Sequence, residues 1–317
     1  MTSYVYRRLL ALIPMLLGVS IILFIIMQLA PGGPEYFFIG DDIPDADQIE
    51  SIRRNLGLNE PLHVQYWSWL SSMLRGDLGV SFITRHPVTS HIMERIPMTL
   101  QLTLAALVIA VAVGIPIGVI SAVKRYSFTD KIATFLAFLG ISFPVFWLGV
   151  MLVLVFSVTL GWFPASGNYT IGREGEIWNR IHHAVLPTLT LAAIQIATFA
   201  RYTRSSMLEV LGQEYIRTAR SKGLPERTVL YKHALRNSLI SVITLMGIQL
   251  RNLVAGAALT ETVFAWPGIG RLAVTAVFQR DYPLIMGINI VLAGLVIIGN
   301  LLVDVAYAWV DPRISYS

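Results

Sequence analysis

The strongest constraint on this 317-residue chain is where its charges are missing. Long apolar blocks that are almost free of ionisable side chains alternate with short segments dense in them, and only 14% of the residues are charged. A soluble globular domain carries about a quarter. A helix crosses the hydrocarbon core of a bilayer with roughly 20 apolar residues, and six blocks meet that length: Leu9–Leu29, Met98–Val123, Ile132–Leu160, Val185–Ala200 with a continuation past Arg201, Asn237–Leu259 and Leu284–Trp309. The sequence therefore predicts an all-α integral membrane protein of six transmembrane helices. Pro14, Pro116 and Pro144 lie inside these blocks and read as kinks, because neighbouring helices can satisfy the carbonyls a proline frees. Arg7 and Arg8 precede the first block as they would a signal peptide, but its apolar run is longer than a typical h-region, so a retained helix is the plainer reading.

Orientation follows from the basic residues. With the N-terminus inside, the inner segments hold 14 Lys and Arg against five acids, and the outer segments hold nine against 13. The positive-inside rule then puts both termini in the cytoplasm. The net charge of +5 is thus a topology signal and no argument for nucleic acid.

Three connections carry further information. The outer one, Ala30 to Ile96, opens with Pro31-Gly32-Gly33-Pro34 and continues through Asp41, Asp42, Asp45, Asp47 and Glu50, whose spacing does not fit a calcium loop. Leu62, Tyr66, Trp67, Trp69, Leu70, Met73 and Leu74 then recur at helical spacing, which predicts an amphipathic helix at the outer interface. The cytoplasmic connection, 201–236, contains a proline-free stretch, Ser206 to Lys222. Leu208, Leu211, Tyr215 and Ala219 form one stripe on it. Gly223 stands at a natural helix stop and Pro225 at the first turn of a second helix. Such a stripe either folds back on this chain or is received by another protein. The third connection, Thr260 to Pro283, holds a Pro267-Gly268 turn between apolar residues and is expected to dip toward the membrane.

Much chemistry is excluded. The chain has no cysteine, so thiol catalysis, disulfides and iron–sulfur sites are out. It lacks a phosphate-binding Gly-x-x-x-x-Gly-Lys-Ser/Thr loop, a zinc-protease His-Glu-x-x-His and a Gly-x-Ser-x-Gly elbow. His182 and His183 point about 100° apart on a helix and make a poor chelate. No catalytic residue, metal ligand or resident cofactor is expected. Polar residues at membrane depth usually face a bundle interior or a water-filled path. Gln195, Gln249, Arg251, Asn252 and Asn289 are the candidates for a translocation path. Asp304, near the inner end of its span, is a candidate ion-pair partner of Arg201, with Arg204 as the alternative.

Glu214-Tyr215-Ile216-Arg217-Thr218-Ala219-Arg220-Ser221-Lys222-Gly223-Leu224, followed by His233-Ala234-Leu235-Arg236-Asn237, resembles the EAA loop of ABC importer permeases, in the form of the dipeptide and oligopeptide branch. Leu56-Gly57-Leu58, Gly76-Asp77-Leu78-Gly79, the Thr260 to Arg271 stretch, Tyr4 to Arg8 and Asp311-Pro312-Arg313-Ile314 are similar to that branch as well, so the resemblance covers nearly the whole chain. Arg251 departs from the small or apolar residue the branch leads one to expect. The resemblance implies the type I importer fold. Residues 1–96 would be a first helix, wrapped against the partner permease, plus an outer segment. Residues 97–310 would be a five-helix core with its coupling loop at 201–236, and 311–317 a cytoplasmic tail. It also implies partners: a second homologous permease, two cytoplasmic ATPase subunits that bind ATP and Mg, an extracytoplasmic binding protein, and the bacterial inner membrane. Glu214, Tyr215, Ala219, Gly223 and His233 would couple the chain to the ATPases. Nickel complexes or oligosaccharides are the alternative cargo to peptides, and an ATP-independent secondary transporter is the alternative of another class.

Overall fold

The structure, a computed structural model, describes residues 2–29, 46–55, 57–251 and 257–310. Over residues 2–9, 11, 12, 46, 48, 49, 52, 55, 248, 250, 251 and 302–310 it describes the backbone course alone. Among these residues every regular element is helical: α1 (Thr2–Leu29), α2 (Ala46–Asn55), α3 (Leu62–Leu74), α4 (Val88–Val123), α5 (Phe128–Ser142), α6 (Val145–Leu152), α7 (Ile177–Leu211), α8 (Glu214–Ser221), α9 (Glu226–Thr228), α10 (Arg236–Arg251), α11 (Ala258–Val263), α12 (Ile269–Phe278) and α13 (Tyr282–Val310). Wider π turns extend α6 over Val153–Thr159 and join α9 to α10 over Val229–Leu235.

By length and composition α4, α7 and residues 282–301 of α13 can each cross a membrane. Residues 128–159 form a bent pair that makes a fourth candidate. That pair corrects the reading of Pro144 as a kink. Phe143 is extended (φ −84, ψ 134), as a residue before proline prefers. Pro144 then starts α6, and the two helices meet at 105°. By contrast Pro14 and Pro187 sit inside continuous helices, and α4 runs unbroken through Pro116. The fourth expected span does continue past Arg201, as far as Leu211. The fifth falls on α10, and the residues that follow Arg251 in that block, 252–256, lie outside those described.

The chain divides into two compact units, one of residues 1–98 with 268–317 and one of 99–267. In the first, α1 packs along α13 and against α3. The aromatic face of α3 makes that contact: the Tyr66 hydroxyl lies 2.8 Å from Ser20 Oγ, and the rings of Tyr66 and Trp69 flank Phe24. Trp67 and Leu74 on the other face are exposed. Arg75 ends α3, and Gly76 (φ +84) takes the left-handed position that follows. Its N–H donates to Met73 and that of Asp77 to Ser72, which satisfies carbonyls the helix leaves open. Asp281 is fully buried in this unit. Its carboxylate accepts from the Ser81 hydroxyl and the Phe82 N–H, and it stands at the entrance of α13, so it pins the 79–88 turn to that helix.

In the second unit α7 is the spine, packed by α5, α6 and α10. Leu107, Ala110, Phe199, Val242 and Leu245 form its middle core. The contact with α4 is made by glycines: a Cβ on Gly118 would lie 2.6 Å from the Ala200 carbonyl oxygen, and one on Gly114 2.9 Å from that of Ile196. At the start of α11, Glu261 is fully buried and accepts from Thr99 Oγ1 at 2.5 Å. Phe264 and Trp266 are buried beside it in sequence, so this segment is a packed turn of the second unit.

Candidate functional site

The second unit carries one constellation that sequence and structure both single out, the connection from α7 to α10. Gly212 ends α7, Gln213 is extended, and α8 begins at Glu214. The expected single helix from Ser206 to Lys222 is therefore two, because Gly212 carries no side chain to hold another turn and is poor inside a helix. Lys222 ends α8 and Gly223 (φ +73) follows in the left-handed conformation. The Gly223 N–H donates to Arg220 O and the Leu224 N–H to Ala219 O, the paired closure that favours glycine at this position. Pro225 then opens α9, its φ of −60 already suited to a helix start.

Except at Tyr215, the apolar stripe folds back on the chain. Ile216 and Ala219 are buried with Ala122, Met207, Val229 and Ala234, and Leu208 and Leu211 pack against them. Glu214, Tyr215, Arg217, Thr218, Ser221 and Lys222 face outward. The α8–α9 corner is clamped by a pair of bonds from Arg220 to Glu226, Nη2 to Oε1 at 2.7 Å and Nε to Oε2 at 3.2 Å. Asn237 at the start of α10 bonds the Tyr215 hydroxyl at 3.2 Å and the His233 carbonyl at 2.8 Å. Of the five residues expected to couple, then, Glu214 and Tyr215 are exposed, Gly223 makes the bend, His233 is half-buried in the π turn, and Ala219 is internal. What the assembly offers is a charged, exposed face on a helix fixed by its apolar face where α4 and α7 end and α10 begins.

The Arg220 guanidinium holds the Glu226 carboxyl below its ordinary range, and Glu226 holds Arg220 up. A depressed carboxylate contributes stability that is present above its unfolded value and is lost as pH falls through the folded one. Both groups are exposed, so the gain is about 1 kcal/mol or less. A spin label at Ser221 should gain mobility on acidification in the wild type, and be mobile already at neutral pH in Glu226→Gln. Equal mobility in both proteins at pH 7 would show that the clamp holds nothing.

Sequence reasoning missed a second feature, which lies one turn above. Asp130 is buried and Arg204 approaches it bidentately, Nε to Oδ1 at 2.7 Å and Nη2 to Oδ2 at 2.9 Å. Ser121 donates to the same carboxylate, as does the Tyr126 N–H. Arg204, one of the two expected partners of Asp304, is thus taken by Asp130. The side chain of Asp304 lies outside the described residues, as do Asn252 and the side chain of Arg251. Gln195 and Gln249 are half-buried on α7 and α10, and Gln195 Oε1 is buried without a hydrogen bond. Asn289, half-buried on α13, donates to Ile285 O at 2.8 Å. Each of the paired histidines has its own structural contact, His182 with the Trp162 carbonyl and His183 with that of Ser166. No cluster of metal-ligating side chains occurs among the described residues.

Residues 114–316 match the family described as binding-protein-dependent transport system inner membrane component, and residues 1–103 match the N-terminal part of the same transport-system membrane components. The chain belongs to this family of ABC importer permeases. Among curated proteins it is 47% identical, over 100% of both chains, to the oligopeptide transport system permease protein AppB of Bacillus subtilis. It is 42% identical, again over the whole of both, to the dipeptide transport system permease protein DppB of Alkalihalophilus pseudofirmus. The glutathione transport system permease protein GsiC of Salmonella typhi is 44% identical over 316 residues and 100% of each chain. In fold the chain is similar to a chain of the inward-facing MetNI methionine ABC transporter, with a TM-score of 0.57 and 19% identity over 70% of this chain and 97% of that one. As a permease of this family the chain is a membrane component of a binding-protein-dependent importer, and the α7–α10 connection is the part of it that resembles the EAA loop.

Proposed function

We propose that this permease forms, with a second related permease, the channel of an ATP-driven importer of short peptides in the bacterial inner membrane, with both termini cytoplasmic and six spans. The observation that carries the peptide reading is the 47% identity, without gaps in coverage, to an oligopeptide permease, alongside the full-length similarity to a dipeptide permease. Two ATPase subunits, binding ATP and Mg, drive it from the cytoplasm, and a binding protein delivers cargo outside.

The coupling site supports a rigid-body mechanism. α8 is joined to α7 by two residues and to α10 through the π turn. Ile216 and Ala219 root it in the same core as Ala122 and Met207. A force applied to the outward residues Glu214, Tyr215 and Arg217 therefore reaches the inner ends of α4, α7 and α10 together. An ATPase pair that closes on ATP would carry those ends with it and close the inner gate, while the outer face opens to the binding protein. Gln195, Gln249, Arg251, Asn252 and Asn289 are assigned to the path the peptide takes.

Gly223 tests the coupling. A Cβ there would meet no atom within 4 Å, so the cost of a side chain is conformational, about 1–2 kcal/mol for an L-residue held left-handed. Gly223→Pro also removes the N–H that bonds Arg220. It should leave the complex assembled but uncouple ATP hydrolysis from uptake in proteoliposomes, whereas uptake per ATP equal to wild type would refute the role. The assembly is tested by purifying the wild-type chain and Glu214→Ala/Gly223→Arg from mild detergent. Two ATPases and a second permease should accompany the first and be weakened or lost with the second. A wild-type chain that emerges alone and stable would favour an ATP-independent transporter.

A further inference from the structure

Beside the Asp130–Arg204 pair the second unit has a cavity of about 210 Å³ between α4, α5 and α7. Ile117, Ala133, Ala137, Phe138 and Ile141 make most of its wall, and Arg201, Arg204, Ser121 and Thr134 make one end. That end is unusual in its charge. Arg204 is satisfied by Asp130, but Arg201 is exposed and has no ion pair or hydrogen bond among the described residues. The adjoining turn adds Lys124, Arg125 and Lys131, all exposed. The one acid on that turn and its flanking helix ends is Asp130, whose carboxylate is already filled by Arg204, Ser121 and Tyr126. Along α5 the groove opens onto Phe135, Leu136 and Phe138, each more than half exposed, a surface that suits hydrocarbon and not water.

We propose that this groove binds one anionic phospholipid of the cytoplasmic leaflet, its phosphate on Arg201 and an acyl chain along Ala133, Ala137 and Ile141. The proposal rests on the membrane orientation given above. The volume admits a hydrocarbon chain but no protein helix, which is about 10 Å across. A free inorganic anion would find the arginine but leave the apolar wall uncovered. A zwitterionic headgroup would bring its ammonium against four basic residues with no carboxylate to receive it. An anionic headgroup meets both demands, and basic clusters at the inner face attract such lipids.

The test is native mass spectrometry of the intact importer, delipidated in detergent and titrated with phosphatidylglycerol or phosphatidylcholine of the same acyl chains. Wild type should retain one phosphatidylglycerol per copy of this chain, with weaker retention of phosphatidylcholine. Arg201→Gln should lower phosphatidylglycerol retention roughly tenfold, the loss of one charge-assisted contact. Ala137→Trp, which fills the groove and keeps the arginine, should lower retention of both lipids. Millimolar inorganic phosphate should not displace the lipid. Equal retention of the two lipids, or Arg201→Gln behaving as wild type, would overturn the proposal. So would displacement by phosphate, which would make this a free-anion site. Assembly that is lost in Arg201→Asp and restored by Arg201→Asp/Asp304→Arg would also overturn it, by placing Arg201 in an ion pair. The same spectra count subunits, so an absent ATPase indicts the importer reading, whereas a complete complex without lipid indicts this proposal alone.

Discussion

Arg204→Met is expected to destabilise the protein by about 3–5 kcal/mol, the usual cost of removing one partner of a buried ion pair. The two sides of the pair are not equivalent. The Asp130 side chain is only 5% exposed and the Arg204 side chain 29%. Without Arg204 the carboxylate keeps the Ser121 hydroxyl and the Tyr126 N–H but has no positive charge, and it cannot reach water. Without Asp130 the guanidinium can extend along its aliphatic stem toward the exposed side. Asp130→Leu should therefore cost less than Arg204→Met. Asp130→Leu/Arg204→Met should recover most of the loss, since well-packed apolar residues commonly replace a buried pair at little cost. Thermal unfolding of the detergent-solubilised complex measures the cycle. Additive single costs would show that the two side chains do not act as a pair. The pair joins the first turn of α5 to α7, and α7 leads within two residues to α8. Transport should return together with stability in the double variant, because the pair's task here is to hold α5 on α7.

How legible this was in the sequence depended on whether the physics is local. The apolar blocks were legible because a bilayer excludes charge whatever the packing. Gly223 and Pro225 were legible because a left-handed residue and a fixed φ are properties of single residues, and the backbone at 219–229 carries out both. The partner of a helical stripe is not local. Leu208, Leu211 and Ala219 mark an apolar face, but whether Met207, Val229 and Ala234 or another protein covers it is decided by tertiary packing. The fate of Pro144 is likewise tertiary. A proline can lie inside a continuous helix, as in α1 and α7, or end it where the residue before it turns extended. Asp130 and Arg204 are 74 residues apart, and nothing in either neighbourhood announces the other. Asp281 is likewise held by residues about 200 positions away, Ser81 and Phe82, which its own neighbourhood does not announce. One non-local feature did leave a signature that the sequence reading passed over, Gly114-x-x-x-Gly118 inside an apolar block, the spacing that lets two membrane helices approach closely.

That seam gives the other large effect. Gly118→Leu is expected to prevent α4 from seating on α7 and so to abolish assembly of the importer. A Cβ at 118 would lie 2.6 Å from the Ala200 carbonyl oxygen, 2.6 Å from Thr203 Cβ and 3.1 Å from the Arg204 amide nitrogen. Two of those atoms are backbone of a helix, so no rotamer change relieves the clash and the helices must part. Overpacking a core costs about 1–3 kcal/mol where side chains can yield, and here they cannot. Even Gly118→Ala should lose stability, although alanine favours a helix over glycine by about 1 kcal/mol. Gly18→Ala supplies the contrast: its Cβ would meet no atom within 4 Å, so propensity alone should act and the change should be neutral or stabilising. If Gly118→Ala proves as harmless as Gly18→Ala, α4 and α7 are not in contact at this point. The two large effects are also linked. Ser121 on α4 is bonded to both members of the ion pair, and it lies one turn from Gly118. A helix displaced at 118 withdraws that hydroxyl, so Gly118→Ala and Arg204→Met should together cost less than the sum of their separate effects.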